Sequence, residues 1–240
     1  MIDLLGRTAQ AQETVVSLFI DEMQYIAEDQ LAALITAFHR ANQSQLPVAL
    51  FAAGLPQLLG QMGKAKSYAE RLFEFQPIDR LEPEFARIAI EAPAKKQDEV
   101  AYQAEAVDEI IKATQCYPYF LQEWGKHCWR IAESSPITHD DALSATESAI
   151  AQLDASFFRV RFDRLTPSEK RYMRGMAELG PGPHRSGEVA QVLQRSVSSV
   201  APTRSYLIRK GMAYSPAHGD IAFTVPLFDG FMKRIMNLET

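Results

Sequence analysis

The sequence contains few of the residues that stabilise small secreted proteins or bind metals. Only two of its 240 residues are cysteines and five are histidines. Cys116 and Cys128 have no CxxC spacing, so we expect two reduced thiols in a cytoplasmic protein. The histidines are scattered and none forms an HxxxH pair with a carboxylate, which argues against a metal site built from side chains alone.

Long apolar runs are also missing. No run approaches the roughly 20 apolar residues that a membrane-spanning helix needs, and the N-terminus lacks a basic segment followed by an apolar one. Hydrophobic residues make up 47% and charged residues 23%, which is ordinary for a soluble globular protein. We expect one or two domains and no membrane partner.

A phosphate-binding loop of the form G-x-x-x-x-G-K-[ST] is absent from the sequence. The nearest candidate is Gly60–Lys64, but Leu58 stands where the first glycine belongs. Ala65 replaces the hydroxyl that would bind magnesium. The segment is therefore interpreted as part of a loop that precedes a helix, and not as a phosphate loop.

The net charge of −5 conceals an asymmetry. Residues 1–156 carry 12 Lys and Arg against 23 Asp and Glu, whereas residues 157–240 carry 13 against 7. This asymmetry indicates two modules with different partners. The basic module, residues 157–240, is a candidate for nucleic-acid binding.

An apolar run that ends in two carboxylates is the most informative stretch. Val15–Ile20 predicts a strand buried on both faces, and Asp21 and Glu22 follow it directly. Ligands of open α/β sheets bind at the carboxyl ends of strands. The pair is either such a site or the acidic start of a helix, where the helix dipole favours carboxylates.

The region that follows alternates helical and strand patterns. Residues 29–42 predict an amphipathic helix, Val48–Gly54 a second buried strand, and Phe73–Phe75 a third short strand. Strands that alternate with helices in this way predict a parallel sheet with right-handed crossovers.

The chain from Leu81 to Thr166 is predicted to be entirely helical. A short helix is expected over Glu82–Glu91, ending before Pro93. Thr138 with Asp141, and Thr166 with Glu169, have the spacing of capping boxes at the starts of two later helices.

The last 75 residues predict a winged helix-turn-helix. Three helices are expected, and the third ends at Lys210-Gly211. Strands at Met212–Ser215 and Asp220–Val225 are then expected to form a hairpin, followed by a closing helix over Phe228–Met236.

In this order, the pieces resemble the C-terminal part of a bacterial AAA-family ATPase of the archaeal-type, initiator-like group. The segments that carry the resemblance are IDEMQ (Walker B), LPVALFAAGLP (sensor strand), KSYAERLFEFQPIDRL (arginine-finger segment), YPYFLQEWGKHCW (lid helix) and LTPSEKRYMRGMAELG (winged helix). The resemblance implies an α/β plus all-α protein: a partial AAA+ P-loop NTPase sheet over residues 1–80, a helical lid over 81–156 and a winged helix over 157–240.

The resemblance also implies roles for three residues. Asp21 would bind Mg²⁺, Glu22 would polarise the attacking water, and Arg71 would act as the arginine finger of a neighbouring subunit in a homo-oligomer. The alternative for Arg71 is a surface arginine on an amphipathic helix.

Two segments depart from the family pattern. The sensor strand ends in Ala52, Ala53 and Gly54, where a polar residue is expected, and the lid helix has Tyr119 or Phe120 where related ATPases often place an arginine.

ATP and Mg²⁺ are the cofactors that the resemblance implies. Because the phosphate loop supplies most contacts to the nucleotide, we expect ATP to bind this chain weakly or not at all. In the family that loop belongs to a central strand upstream of Walker B. The chain is then expected to be either a piece of a longer protein or a remnant whose sheet is completed in another way.

Basic and hydroxyl side chains of the predicted winged helix suggest contact with double-stranded DNA. They are Arg185, Arg195, Ser198, Ser199, Thr203, Arg204, Arg209 and Lys210. The alternative is a winged helix that packs against protein.

Two functions stay open at this point. The first is an ATPase that couples its nucleotide state to a DNA- or protein-binding winged helix. The second is a non-enzymatic DNA-binding or regulatory module with a structural ATPase remnant.

Overall fold

The computed structural model describes residues 1–98 and 100–238. Two compact units are present. The first comprises Met1–Pro77 and Tyr206–His218, and the second comprises Ile78–Ser205 and the chain from Gly219 onward. No helix in the described ranges has the length and apolar character needed to cross a membrane.

The first unit contains a small parallel sheet with helices. Its elements are α1 (Ile2–Ala11), β1 (Val16–Ile20), a 3₁₀ helix (Met23–Tyr25), α2 (Glu28–Gln43), β2 (Val48–Ala52), α3 (Gln57–Ala65) and α4 (Ala69–Leu72). Strand β1 pairs in parallel with β2, with Val16 opposite Val48 and Ile20 opposite Ala52. The predicted parallel arrangement and the first two predicted strands are therefore confirmed.

Among the described residues, helices cover one face of this sheet and leave the other exposed. On the covered face, Leu18, Val48 and Leu50 pack against a buried cluster of Ile2, Phe38, Ala41 and Leu46. On the opposite face, the rings of Phe19 and Phe51 stack with centroids 5.0 Å apart, and these residues are 78% and 54% exposed. The prediction that β1 is buried on both faces is wrong, because no element of the described chain covers this face of the strand pair.

The predicted strand at Phe73–Phe75 is also wrong. These three described residues lie in irregular chain after α4. Phe73 and Phe75 pack against the buried cluster of Met23, Leu31 and Ile35, but no strand of the described chain pairs with them. The alternating phenylalanines at positions 73 and 75 therefore indicate burial of their side chains. The described backbone there forms no strand hydrogen bonds.

The second unit is mainly helical. Its elements are α5 (Pro83–Asp98), α6 (Ala104–Thr114), α7 (Pro118–Ile131), α8 (His139–Ala155), α9 (Phe157–Asp163), α10 (Pro167–Leu179), β3 (His184–Arg185), α11 (Ser186–Val192), most of α12 (Val197–Arg209), β5 (Asp220–Phe223) and α13 (Phe228–Ile235). The end of α12 and strand β4 (Ala213–Tyr214) fall in the segment grouped with the first unit.

Strand β3 pairs antiparallel with β5, with His184 opposite Ile221 and Arg185 opposite Asp220. Both strands expected for the C-terminal hairpin are present, as β4 and β5.

Helix α5 runs through Pro93, so the prediction that it ends before this proline is wrong. Inside a helix, proline removes the hydrogen bond to the carbonyl of the residue four positions earlier, and its ring crowds that carbonyl. That residue is Ala89, which is exposed, so water can satisfy its carbonyl. Ile90 and Ala94 are buried on either side of the proline and hold the helix in place.

Both predicted capping boxes are formed. At α8, the Thr138 hydroxyl accepts from the Asp141 N–H (3.2 Å) and the Asp141 carboxylate accepts from the Thr138 N–H (2.8 Å). At α10, Thr166 and Glu169 exchange the same two bonds. These local signals fix where the two helices begin.

Removal of the α8 cap is expected to destabilise the second unit. Thr138→Ala should lower the free energy of unfolding by about 1 kcal/mol, since an N–H of the first turn loses its acceptor. Thr138→Ser keeps the hydroxyl and should retain most of the stability. Urea denaturation followed by circular dichroism measures both variants, and an alanine variant as stable as the wild type would contradict the assigned cap.

Candidate nucleotide site and nucleic-acid interface

The acid pair lies where two parallel strands end together. Ile20 and Ala52 are the last paired residues of β1 and β2. Two further bonds extend the pairing: the Ala53 N–H donates to the Ile20 carbonyl (2.9 Å), and the Met23 N–H donates to the Ala53 carbonyl (3.0 Å). The chain after β1 is thus fixed to the chain after β2.

Asp21 and Glu22 are exposed, and their backbone has an uncommon conformation. Glu22 has φ 54° and ψ 38°, in the left-handed region that non-glycine residues rarely adopt. Its N–H donates to Asp21 Oδ1 at 2.8 Å. Such a conformation persists only where the surroundings hold it.

Gln24 provides part of that support. It is buried, with 7% exposure. Its Nε2 donates to Glu22 Oε2, and its Oε1 accepts from the Leu55 N–H at 3.0 Å. One amide therefore joins the Glu22 carboxylate to the loop after β2. The sequence pattern assigns no role to Gln24, although a polar residue two positions after Glu22 in an otherwise apolar segment is a signal.

Gly54 makes room for this amide. An added Cβ would lie 2.9 Å from Gln24 Oε1 and 2.8 Å from Leu58 Cδ2, closer than such atoms approach. Gly54 is one of the small residues by which the sensor segment departs from the family pattern. The close approach of Gln24 and Leu58 explains why no larger residue fits there.

The Gly60–Lys64 segment does not form a phosphate loop. All five residues lie inside α3 (Gln57–Ala65), so their backbone N–H groups belong to a helix and do not form an open cradle. The helix agrees with the interpretation that this segment is not a phosphate loop, but the predicted placement of the segment in a loop is wrong.

Arg71 lies on α4 and is exposed. It belongs to the same unit as Asp21 and Glu22. An exposed position is compatible both with an arginine finger and with an ordinary surface arginine. The role of Arg71 as an arginine finger therefore stays a prediction.

Two of the predicted nucleic-acid residues contact Asp220. Arg185 on β3 forms an ion pair through Nε with Asp220 Oδ1 at 3.1 Å. Arg204 on α12 is half-buried and donates from Nη2 to the Asp220 carbonyl oxygen at 2.7 Å. Asp220 therefore offsets part of the positive charge that the sequence assigned to this surface.

The start of α12 is exposed and rich in hydroxyl groups. Ser196 caps it, accepting from the Ser199 N–H at 3.3 Å. Arg195, Ser198 and Ser199 are exposed, and Thr203 is half-buried. Exposed hydroxyls and a cation at a helix start suit contacts with phosphate.

The other two predicted residues stand at the end of α12. The Arg209 guanidinium carbon lies 4.5 Å from the ring centroid of Tyr206. Arg209 and Lys210 are both exposed. The structure brings Arg185 and Arg204 together at Asp220 and places Arg195, Ser198 and Ser199 on one exposed turn.

Both cysteines are free and buried. Burial raises the pKa of the Cys128 thiol to about 12, with the negative charge of Asp141 adding to the shift. A thiol of this kind is protonated and unreactive at neutral pH.

Comparisons with known proteins bear on both regions. A family model described as a domain of unknown function (DUF8462) matches residues 155–232. No curated protein matches the chain.

Similarity to solved structures shows the fold. A Walker-type ATPase of Pyrococcus abyssi has a TM-score of 0.62 at 14% identity, over 95% of this chain and 66% of the other. RuvB of Thermotoga maritima has a TM-score of 0.50 at 17% identity, over 90% of this chain and 71% of RuvB. The chain thus has a mixed helical fold with a small parallel sheet, similar to AAA+ ATPases.

The Gln24 bridge can be tested without any ligand. Gln24→Leu removes the acceptor of the Leu55 N–H, so the amide hydrogen exchange of Leu55 should accelerate about tenfold, the equivalent of one neutral hydrogen bond. Tyr25→Ala, at the exposed neighbouring position, should leave it unchanged. NMR-detected exchange measures both, and equal Leu55 rates in wild type and Gln24→Leu would refute the bridge.

Proposed function

We propose that this chain is a nucleotide-binding module of the AAA type whose nucleotide state is coupled to a winged helix that binds DNA or protein. The observation that carries the nucleotide part is the acid pair at the shared carboxyl end of β1 and β2, in a fold similar to AAA+ ATPases. In this proposal residues 1–80 form the partial ATPase core, residues 81–156 the lid and residues 157–240 the winged helix.

Asp21 and Glu22 have different roles in this proposal. Asp21 Oδ1 accepts a backbone N–H, which orients the carboxylate. Mg²⁺ in nucleotide sites is held by one or two carboxylates, with substrate phosphates and water as further ligands, and an exposed Asp21 fits that donor set. Bound Mg²⁺ would neutralise part of the negative charge of the phosphates.

Glu22 would orient and polarise a water molecule. Its carboxylate accepts the Gln24 amide N–H at one oxygen, which restricts its rotation. The exposed remainder of the carboxylate is able to accept a proton from water. Arg71 is the candidate for a guanidinium supplied to a neighbouring copy in a homo-oligomer.

ATP binding by the 240-residue chain tests the nucleotide part. Calorimetry with Mg²⁺ should give weak binding, with a dissociation constant on the order of 0.1–1 mM, because the sequence offers the acid pair but no phosphate-loop motif. The Asp21→Ala/Glu22→Gln double variant should lose it. Because both carboxylates are exposed, the fold should be retained.

If wild type and double variant bind ATP equally, or neither binds at millimolar concentration, the acid pair is not a nucleotide site. DNA binding that persists in that case would favour the alternative, a non-enzymatic regulator with a structural ATPase remnant.

The DNA part of the proposal rests on the exposed start of α12. Arg195, Ser198, Ser199 and Thr203 would contact phosphates or bases, with Arg209 and Lys210 nearer the end of the helix. Arg185 and Arg204, engaged with Asp220, would mainly hold β5 against β3 and α12. RuvB is described as a Holliday junction branch migration motor, which makes DNA a reasonable partner class.

Arg195→Ala is expected to weaken binding to double-stranded DNA about fivefold at 0.1 M salt and to reduce the slope of log K against log salt by about 1. Arg171→Ala, an exposed arginine on α10, removes the same charge elsewhere and should have little effect. Fluorescence anisotropy with a labelled duplex measures both. Equal losses in the two variants would indicate general charge attraction and contradict the assigned surface.

A further inference from the structure

The turn that ends α12 lies against the loop that follows β2. A Cβ atom built on Gly211 would lie 2.5 Å from Leu55 Cδ1, so only glycine permits this approach. Gly211 also has φ 69°, in the left-handed region that favours glycine. Residues 206–218 are grouped with residues 1–77 in the first unit, so this approach lies within one compact unit.

Backbone hydrogen bonds fix the position of Gly211 at the end of α12. Its N–H donates to the Ile208 carbonyl oxygen at 3.0 Å, and the Met212 N–H donates to the Leu207 carbonyl oxygen at 3.0 Å. These two bonds form the Schellman motif, in which a helix ends at a glycine. Leu207 and Met212 are both buried. The turn and the end of α12 are therefore held as one piece.

Leu55 is held from the other side by the network around the acid pair. Its N–H donates to Gln24 Oε1 at 3.0 Å, and Gln24 Nε2 donates to Glu22 Oε2. Gly54 lies so close to this amide that a Cβ there would be 2.9 Å from Gln24 Oε1. Direct contacts thus connect the Glu22 carboxylate with the turn at Gly211.

The contacts between Glu22 and Gly211 are close at each step. Close-packed interiors have low compressibility, so they transmit a displacement instead of absorbing it. A ligand that engages the Glu22 carboxylate competes for the oxygen that accepts from Gln24. When the Gln24 amide shifts, its other hydrogen bond, from the Leu55 N–H, must shift with it.

We propose that Leu55 is a positioning residue that couples occupancy of the acid pair to α12, so that bound nucleotide changes the affinity of this helix for duplex DNA. The coupling rests on the proposed function and identifies how that site is regulated. Ser198 and Ser199 in the first turn of α12 are joined to the Gly211 turn by one continuous helix. The competing explanation is a Leu55 that only stabilises the fold.

The test measures the affinity of the full chain for a labelled duplex by fluorescence anisotropy, with and without saturating ATP and Mg²⁺. Leu55→Ala removes the side chain that meets Gly211 and keeps the N–H that donates to Gln24. Leu59→Ala makes the same change at an exposed leucine of α3 and is the matched control. Leu55→Met, a substitution of similar volume, is the conservative variant.

In the wild type, ATP with Mg²⁺ should change the affinity for DNA about fivefold or more. Leu59→Ala and Leu55→Met should keep this ratio. Leu55→Ala should bring the ratio to about one, although it still binds each ligand alone. A purely structural Leu55 would lower both affinities and leave their coupling unchanged. A retained ratio in Leu55→Ala, or a wild-type ratio of one when both ligands bind, would overturn the proposal.

A ligand-free measurement separates the coupling from the proposed function. In NMR spectra, Gln24→Leu should shift the Gly211 amide signal, and the same substitution in a Leu55→Ala background should leave that signal in place. Tyr25→Ala, at the exposed neighbouring position, should not shift it. If ATP or DNA fails to bind, the proposed function fails. An unshifted Gly211 signal in Gln24→Leu overturns the link through Leu55 whether or not the ligands bind.

Discussion

The parallel pairing of β1 with β2 is the constraint on which the candidate nucleotide site depends. Parallel strands end at the same edge of a sheet, so Asp21 and Glu22 lie beside the loop that contains Gly54 and Leu55. The Met23–Ala53 hydrogen bond and the Gln24 amide then tie the two chain segments together. Glu22 keeps a left-handed backbone because this network holds the residues on both sides of it.

The surface near α12 shows how a charge count overstates a binding surface. Residues 157–240 have a clear excess of Lys and Arg, yet Arg185 and Arg204 both interact with Asp220 inside the fold. The exposed cation and hydroxyls at the start of α12 are a smaller and more specific candidate surface. The sequence does not show which arginines are engaged within the fold and which are exposed. Arg185 and Arg204 lie 16 or more positions from Asp220 and meet it only through folding.

Features with local causes could be predicted from the sequence. The capping boxes at Thr138 and Thr166 depend only on residues three positions apart in the sequence. The strands β1 and β2 and the helix α2 follow from the spacing of apolar residues. The errors share a different cause. In the part of the chain that the structure describes, Phe73 and Phe75 pack without strand pairing and no element covers Phe19. Helix α5 tolerates Pro93 because Ala89 is exposed to water. Each outcome depends on the neighbours that tertiary structure supplies.

The same distinction applies to the candidate site. Asp21 and Glu22 could be proposed from their place after an apolar run, whereas the role of Gln24 required knowledge of where Leu55 lies.

The central claim is that the end of β1 and the loop after β2 form a single site for a metal-bound nucleotide. Paramagnetic line broadening in NMR spectra, on addition of Mn²⁺ with ATP, tests this most directly, because broadening falls steeply with distance from the ion. The account predicts selective broadening of the amide signals of Asp21, Glu22 and Leu55, abolished in the Asp21→Ala/Glu22→Gln variant. Uniform broadening, or broadening that persists in the variant, would contradict it.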